Sequence, residues 1–401
     1  LSPVAGQLAG KRLLIVGDGA LQYLPFAALP TPDSIRKSQD NSANLSPNPS
    51  LPLPNPLLQG EGKEGTTLLN TTESSSPLPA LRAASLTQGR GDGGDRSSLD
   101  KTPVPLIVNH EIVNSPSAST IAIIRQDTKG RELAPKKVAV IADPVFSKDD
   151  ERVKTLVGQS LVGQASRLPE GEDGKISRGE GGQDAHPTRQ DLELSALALK
   201  RSAQEVGVTF RRLPFTRTEG SRILSLVPNT NSQSAFDFAA NRTTATNPQL
   251  SQYQIVHFAT HGILNSQNPE LSGVVLSLVD KTGTPQNGFL RLNDIFNLNL
   301  PAELVVLSAC ETGLGKEIKG EGLVGLTRGF MYAGSPRVLV SLWSVADEGT
   351  SELMSRFYKK MMQENLEPVA ALRAAQLEMM QEPQWSSPYY WAAFTLQGEW
   401  K

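Results

Sequence analysis

Outside two polar stretches, short apolar runs alternate along the chain with patterns of helical period. Runs rich in β-branched residues predict strands at Arg12–Val16, Leu106–Val108, Lys137–Ala142, Thr209–Arg211, Ile255–Ala259, Val274–Leu278, Leu304–Ser308, Val338–Leu342 and Ala392–Leu396. Between them, helices are predicted at Leu192–Val206, Glu219–Leu226, Leu292–Phe296, Gly322–Ala333, Asp347–Gln363 and Pro368–Met380. In Asp347–Gln363, the residues Leu353, Met354, Phe357 and Met361 fall on one apolar stripe. Runs such as Leu304-Val305-Val306-Leu307 are apolar on both faces, as a parallel sheet covered by helices on both sides requires. The alternation predicts a layered α/β fold whose functional loops lie at the carboxyl ends of the strands.

Two stretches break this pattern. Residues 31–102 are rich in Pro, Ser, Asn and Gly, and residues 158–189 in Gly, Glu, Gln and Arg. Neither carries enough apolar surface to offset the entropy of ordering it, so both are expected to be disordered insertions. They also explain the low hydrophobic fraction, 38%, beside 28 prolines and 34 glycines in 401 residues. The 39 basic and 41 acidic residues nearly cancel, which argues against a nucleic-acid partner. No apolar run is long enough for a membrane span, and no charged-then-apolar leader opens the sequence. A single cysteine excludes an intramolecular disulfide and a cysteine-rich zinc site, which suggests a reducing, cytoplasmic setting. Leu1 in place of a starting Met suggests a piece of a longer chain.

Two strand ends carry reactive side chains. One reads Ile255-Val256-His257-Phe258-Ala259-Thr260-His261-Gly262, the other Leu304-Val305-Val306-Leu307-Ser308-Ala309-Cys310-Glu311-Thr312-Gly313. If these strands are neighbours, His261 and Cys310 share one crevice. A cysteine there becomes a nucleophile once a base takes its proton, and imidazole suits that near neutral pH. Gly262 would let the backbone turn so that its N–H, beside that of Cys310, faces a developing oxyanion. Spacing alone leaves the bland reading open, with Cys310 a buried small hydrophobe and His261 a structural histidine. His257 and His261 are no zinc pair, because four residues of strand part them by about 13 Å. His257 is therefore expected in the core or behind the site. Gly320-Glu321-Gly322-Leu323-Val324-Gly325 matches a dinucleotide fingerprint but lies about ten residues beyond its strand, which favours a loop with close helix packing. His110 and His186 are assigned no role, and no serine-nucleophile elbow is present.

Together these strand ends resemble the CHAT-domain family, caspase-like cysteine peptidases often found behind tetratricopeptide repeats. The resemblance rests on His257 to Gly262 and Leu307 to Gly313, and continues through Gly320-Glu321-Gly322, Ala333-Gly334 and Ser341-Leu342-Trp343-Ser344-Val345-Ala346-Asp347. Leu14 to Leu21, Leu24 to Leu29, Asp143-Pro144-Val145-Phe146 and Tyr390-Trp391-Ala392-Ala393-Phe394 extend it over nearly everything outside the two insertions. Ser335-Pro336 and the insertions themselves depart from the family pattern.

The resemblance implies a caspase-like layered sandwich, a mostly parallel sheet flanked by helices. An amino-terminal half, 1–190, which can be degenerate, would support a catalytic half, 191–401. It implies a cysteine endopeptidase with His261 as general base, Cys310 as nucleophile, and the backbone N–H groups of Gly262 and Cys310 as the oxyanion hole. No cofactor or metal is implied. The partners would be a protein or peptide substrate and an upstream tetratricopeptide-repeat region or regulatory protein. Similar enzymes often cut after basic residues, which makes Asp347 a candidate for the pocket acid or a loop anchor. The alternative for Asp347 is the N-cap of the following helix. A latent scaffold that signals by binding partners is the alternative for the whole chain.

Overall fold

The strongest apolar runs become the middle of one eight-stranded sheet. In chain order its strands are β1 (Leu13–Val16), β2 (Ile112–Ser115), β3 (Lys136–Ala142), β4 (Ser232–Phe236), β5 (Tyr253–Ala259), β9 (Leu304–Ser308), β10 (Arg337–Ser341) and β11 (Phe394–Gly398). They lie side by side in the order β1-β2-β11-β10-β9-β5-β3-β4, and all neighbours are parallel except β10 and β11. A smaller antiparallel sheet holds β6 (Gly262–Ile263), β7 (Gly273–Val275) and β8 (Phe289–Arg291). The computed structural model describes residues 5–8, 10–17, 21–22, 24–31, 103–153, 189–207, 209–265, 268–308 and 321–400. The chain divides into two units, Leu1–Pro3 with Pro30–Val104, and Val4–Leu29 with Pro105–Lys401. The elements named here belong to the second.

Successive side chains on a strand point to opposite faces, so each central strand feeds two cores. On one face Ala139, Ile141, Val256, Phe258, Val305, Leu307, Val338 and Val340 meet Ile124 of α1 (Ala118–Thr128) and Leu326 and Phe330 of α4 (Glu321–Tyr332). On the other, Val138, Val140, Ile255, Val306 and Leu339 pack on α3 (Pro214–Ser225), α5 (Asp347–Gln363) and α6 (Pro368–Gln381). The predicted stripe of α5 is this contact: Leu353, Met354 and Phe357 are fully buried. A further helix, α2 (Arg189–Val206), lies against the small sheet through Leu199, Val275 and Phe289. The result is the predicted layered α/β sandwich, a mostly parallel sheet flanked by helices. Strands from both sides of residue 190 share it. The expected insertions, 31–102 and 158–189, lie almost wholly outside the described residues.

Several predicted strands fall elsewhere. Leu106–Val108 is part of a one-turn helix, Leu106–Asn109, which starts after the extended N-cap Pro105 and buries Leu106 and Ile107; the strand follows at β2. Among the described residues Thr209–Arg211 pairs with no strand, and the edge strand there is β4, whose Ser and Gln residues hid it. Val274–Leu278 ends early, since Leu276, Ser277 and Leu278 donate instead to the carbonyls of Gly288, Ala240 and Val145. Ala392–Leu396 starts late, because the helical turn Pro388–Trp391 runs into Ala392.

Candidate active site

The sheet's register brings the two reactive strand ends together. β5 and β9 are neighbours, with Ala259 opposite Ser308, and Thr260 N–H donates to the Ser308 carbonyl at 3.2 Å. His261 lies two residues past its strand. Cys310 and the rest of 309–320 lie outside the described residues.

His261 is almost fully buried in an aromatic box, its ring centroid 4.9 Å from Phe146 and 5.5 Å from Phe210. Its Nε2 sits 2.6 Å from the Arg211 carbonyl. A carbonyl oxygen can only accept, so Nε2 carries the proton of the neutral ring and Nδ1 holds the lone pair. Nδ1 is therefore the basic nitrogen. Beyond Phe210 the wall continues into an apolar groove lined by Leu199, Leu278 and Phe289.

Gly262 lies in β6, in line with the next strand and without the positive φ of a tight turn. Val275 N–H donates to the His261 carbonyl at 2.9 Å, so Gly262 and Val274 face each other as a pair without mutual hydrogen bonds. The Gly262 N–H consequently points away from β7.

Asp347 is the first residue of α5, and the N-cap is Ala346, so the carboxylate does not cap its own helix. Instead Oδ2 accepts the Phe215 N–H at 2.8 Å, satisfying one of the orphan donors at the start of α3. Burial pushes its carboxyl up to about 6, against the Phe215 hydrogen bond, and the negative charges of Glu219 and Asp143 add to the rise. Protonated His261 is near enough to oppose it. Among the described residues no Lys or Arg pairs with Asp347.

His257 is wholly buried on the helix face. Its Nδ1 is 2.9 Å from the Tyr358 hydroxyl and its Nε2 is 2.8 Å from Glu219 Oε1. Burial, and then the charge of Glu219, holds the Tyr358 phenol well above its ordinary range, so its O–H donates to Nδ1. This histidine braces the core behind the site, as its strand position predicts.

Other contributors were not read from the sequence. In the sequence Phe146 stands out only within Asp143-Pro144-Val145-Phe146, and Phe210 and Arg211 only within the expected strand Thr209–Arg211. Asp143, just past β3, is a buried carboxylate gripped by Arg152, Arg212 and Arg217. Its position at the end of a central strand was the available signal; its partners lie 9, 69 and 74 residues away in the chain. Among the described residues no group of His, Cys, Asp and Glu could hold a metal ion, and no helix is long and apolar enough to cross a membrane.

Among known proteins, the chain is similar to tetratricopeptide repeat protein 28. The human protein is 29% identical over 178 residues, covering 37% of this chain and 7% of the relative. The mouse protein is 36% identical over 109 residues, covering 27% and 4%. The chain thus spans a small part of these relatives. Among solved structures, separase in the Saccharomyces cerevisiae separase–securin complex matches at 14% identity and a TM-score of 0.36, over 72% of this chain and 14% of that one. The Arg-specific cysteine proteinase gingipain R matches at 10% and 0.35, over 73% and 55%. These structural likenesses are too distant to bear on the site. The match to the CHAT domain is of another order, running from residue 55 to residue 399, and on it the chain belongs to the CHAT-domain family.

Proposed function

We propose that the chain is a cysteine endopeptidase working through a His261–Cys310 dyad. One observation carries the reading. At the end of β5, beside the strand whose sequence runs on into Cys310, an imidazole is boxed by two phenylalanines, and its Nε2–H donates to a backbone carbonyl, which makes Nδ1 the ring's basic nitrogen. In this mechanism Nδ1 takes the Cys310 thiol proton and the thiolate attacks a peptide carbonyl. The oxyanion is held by the N–H groups of Gly262 and Cys310. His261 then hands the proton to the leaving amine. Water, deprotonated by the same Nδ1, cleaves the thioester and restores the thiol. Asp347, half-buried and without a cationic partner among the described residues, suits a basic side chain of the substrate before the cut. Relatives that are tetratricopeptide repeat proteins make an adjoining repeat region a fitting regulator.

The test incubates the chain, Cys310→Ala and His261→Ala with a proteome-derived peptide library and reads new termini by mass spectrometry. New termini from the native chain that vanish in both variants, with Arg or Lys before the cut, are expected. Identical termini from all three would overturn the reading. The near-complete burial of His261 favours a second one, a latent or scaffolding module that acts by binding a partner. Activity that emerges only with an added repeat region would distinguish latency from a permanently silent scaffold.

A further inference from the structure

The walls of the His261 box come from segments with no regular structure of their own. Residues 143–147, leaving β3, supply Phe146; residues 209–213, leading into α3, supply Phe210 and the Arg211 carbonyl. The first is tied to the neighbouring strands only through Asp143 N–H to the Ala259 carbonyl, Val145 N–H to Ser277 Oγ and Leu278 N–H to the Val145 carbonyl, and the second takes part in neither sheet. What joins them is Asp143.

The Asp143 carboxylate is fully buried and takes a two-bond fork from Arg212, Nε to Oδ1 and Nη2 to Oδ2, both at 3.0 Å. Arg217 Nε reaches Oδ2 at 2.9 Å and Arg152 Nη1 reaches Oδ1 at 3.1 Å. Arg152 also donates to the Asp143 carbonyl at 2.8 Å, holding the backbone on the Phe146 side. At the end of the neighbouring strand, Asp237 shares Arg152 and Arg217. Both aspartates hold positive φ, 51° and 52°. Left-handed backbone of this kind is disfavoured for a residue with a side chain and persists only where the surroundings over-determine it.

A guanidinium fork fixes plane and position together, which a single ion pair does not. Arg212 follows Arg211 directly, so the fork fixes the carbonyl one peptide away against the end of β3. We infer that Asp143, acting through Arg212, is a positioning residue for His261, setting the Arg211 carbonyl that holds the imidazole in its Nε2-protonated form. The catalytic consequence rests on the peptidase reading; the clamp itself does not. Without the fork the carbonyl moves, Nδ1 and Nε2 share the proton, and the base is no longer aimed.

The test uses the full chain with 15N-labelled histidine, following ring tautomers in long-range 1H–15N spectra. The chain has 4 histidines, and His261→Gln identifies the signal of interest. The native chain is expected to show the Nε2–H form at His261, and Arg212→Ala a mixture of both forms. Arg212→Lys keeps a charge beside Asp143 but cannot form the fork, so it should show the same mixture in a chain that stays folded. Arg125→Ala removes a similar fork to Glu399 at a distant place and should leave the tautomer unchanged. With an arginyl coumarinylamide peptide, Arg212→Ala should lower kcat by about 10- to 100-fold with KM within about twofold. A folded Arg212→Lys chain whose His261 keeps the native tautomer overturns the inference. A chain that cleaves nothing while the tautomer still follows Arg212 sinks the peptidase reading and supports the clamp.

Discussion

Asp143 and Asp347 share the surroundings of His261 and are held in opposite ways. Asp143 is sealed from water with three guanidiniums on its two oxygens. Asp347 is half-buried, holds one backbone N–H, and meets the negative charges of Glu219 and Asp143 with no Lys or Arg paired to it among the described residues. Both are desolvated carboxylates, Asp143 wholly and Asp347 in part, yet only one is compensated by cations. A compensated buried acid belongs to the architecture, because everything that could recognise it is already in place. An uncompensated one sits uneasily until a cation arrives, which is the condition of a recognition site. The two histidines of the same strand pattern repeat the contrast. His257 is closed between Glu219 and Tyr358, whereas His261 ends its strand on a carbonyl that settles its tautomer.

Removing Asp143 breaks the comparison at its stronger end. Asp143→Ala leaves Arg152, Arg212 and Arg217 facing one another around a cavity without their common counter-charge. The expected cost is about 3–5 kcal/mol, read from urea unfolding. Asp143→Asn should cost nearly as much, since it keeps the volume and loses the charge. A loss confined to the alanine variant would mean that packing, not charge, holds this corner. Asp237→Ala should cost less, because that carboxylate is partly open to solvent.

The Asp347→Asn variant sharpens the other end. With the peptidase reading, KM for an arginyl peptide should rise about 10- to 100-fold, the equivalent of about 1.4 kcal/mol per tenfold. A peptide with a neutral residue before the cut should change little. Since only the carboxylate attracts a cation, preference for arginine in the native chain should grow as pH rises through about 6. Equal losses on both peptides would remove Asp347 from substrate recognition and leave it as the cap of α3.

The sequence displayed the parts of this contrast that are local. Apolar runs gave β3, β5, β9 and β10, and the strand-end residues gave His261 and drew attention to Asp347. Elements whose character is decided by distant partners stayed hidden. Ser232–Phe236 reads as polar loop because an edge strand needs few apolar residues, and its identity comes from pairing with β3. Leu106–Val108 looks like a strand by its residues, but after the extended Pro105 it forms a helical turn that buries Leu106 and Ile107. The arginines around Asp143 and the Arg211 carbonyl leave no local trace, since an ion pair across 69 residues has no spacing rule. Backbone carbonyls are invisible to motif reading altogether, although one of them sets which nitrogen of His261 carries the proton.

The smallest effect, and the most direct test of the uncompensated acid, is the pH dependence of stability. In the unfolded chain Asp347 titrates near its ordinary 3.8, and in the fold near 6. The folded state therefore binds the proton more tightly, and stability from this group is complete below 3.8 and is lost as pH rises to about 6. A shift of that size corresponds to about 3 kcal/mol in full, and partial solvent exposure reduces the expectation to about 1 kcal/mol. Paired acids such as Asp150 and Asp237, held below their ordinary values, act in the opposite direction, so the native curve alone does not isolate Asp347. The difference between the native chain and Asp347→Asn does. In urea unfolding the asparagine variant should gain on the native chain between about pH 4 and pH 6 and hold that gain at pH 7. A difference that stays flat over this range would mean that Asp347 is already compensated, and that the two carboxylates differ in exposure alone.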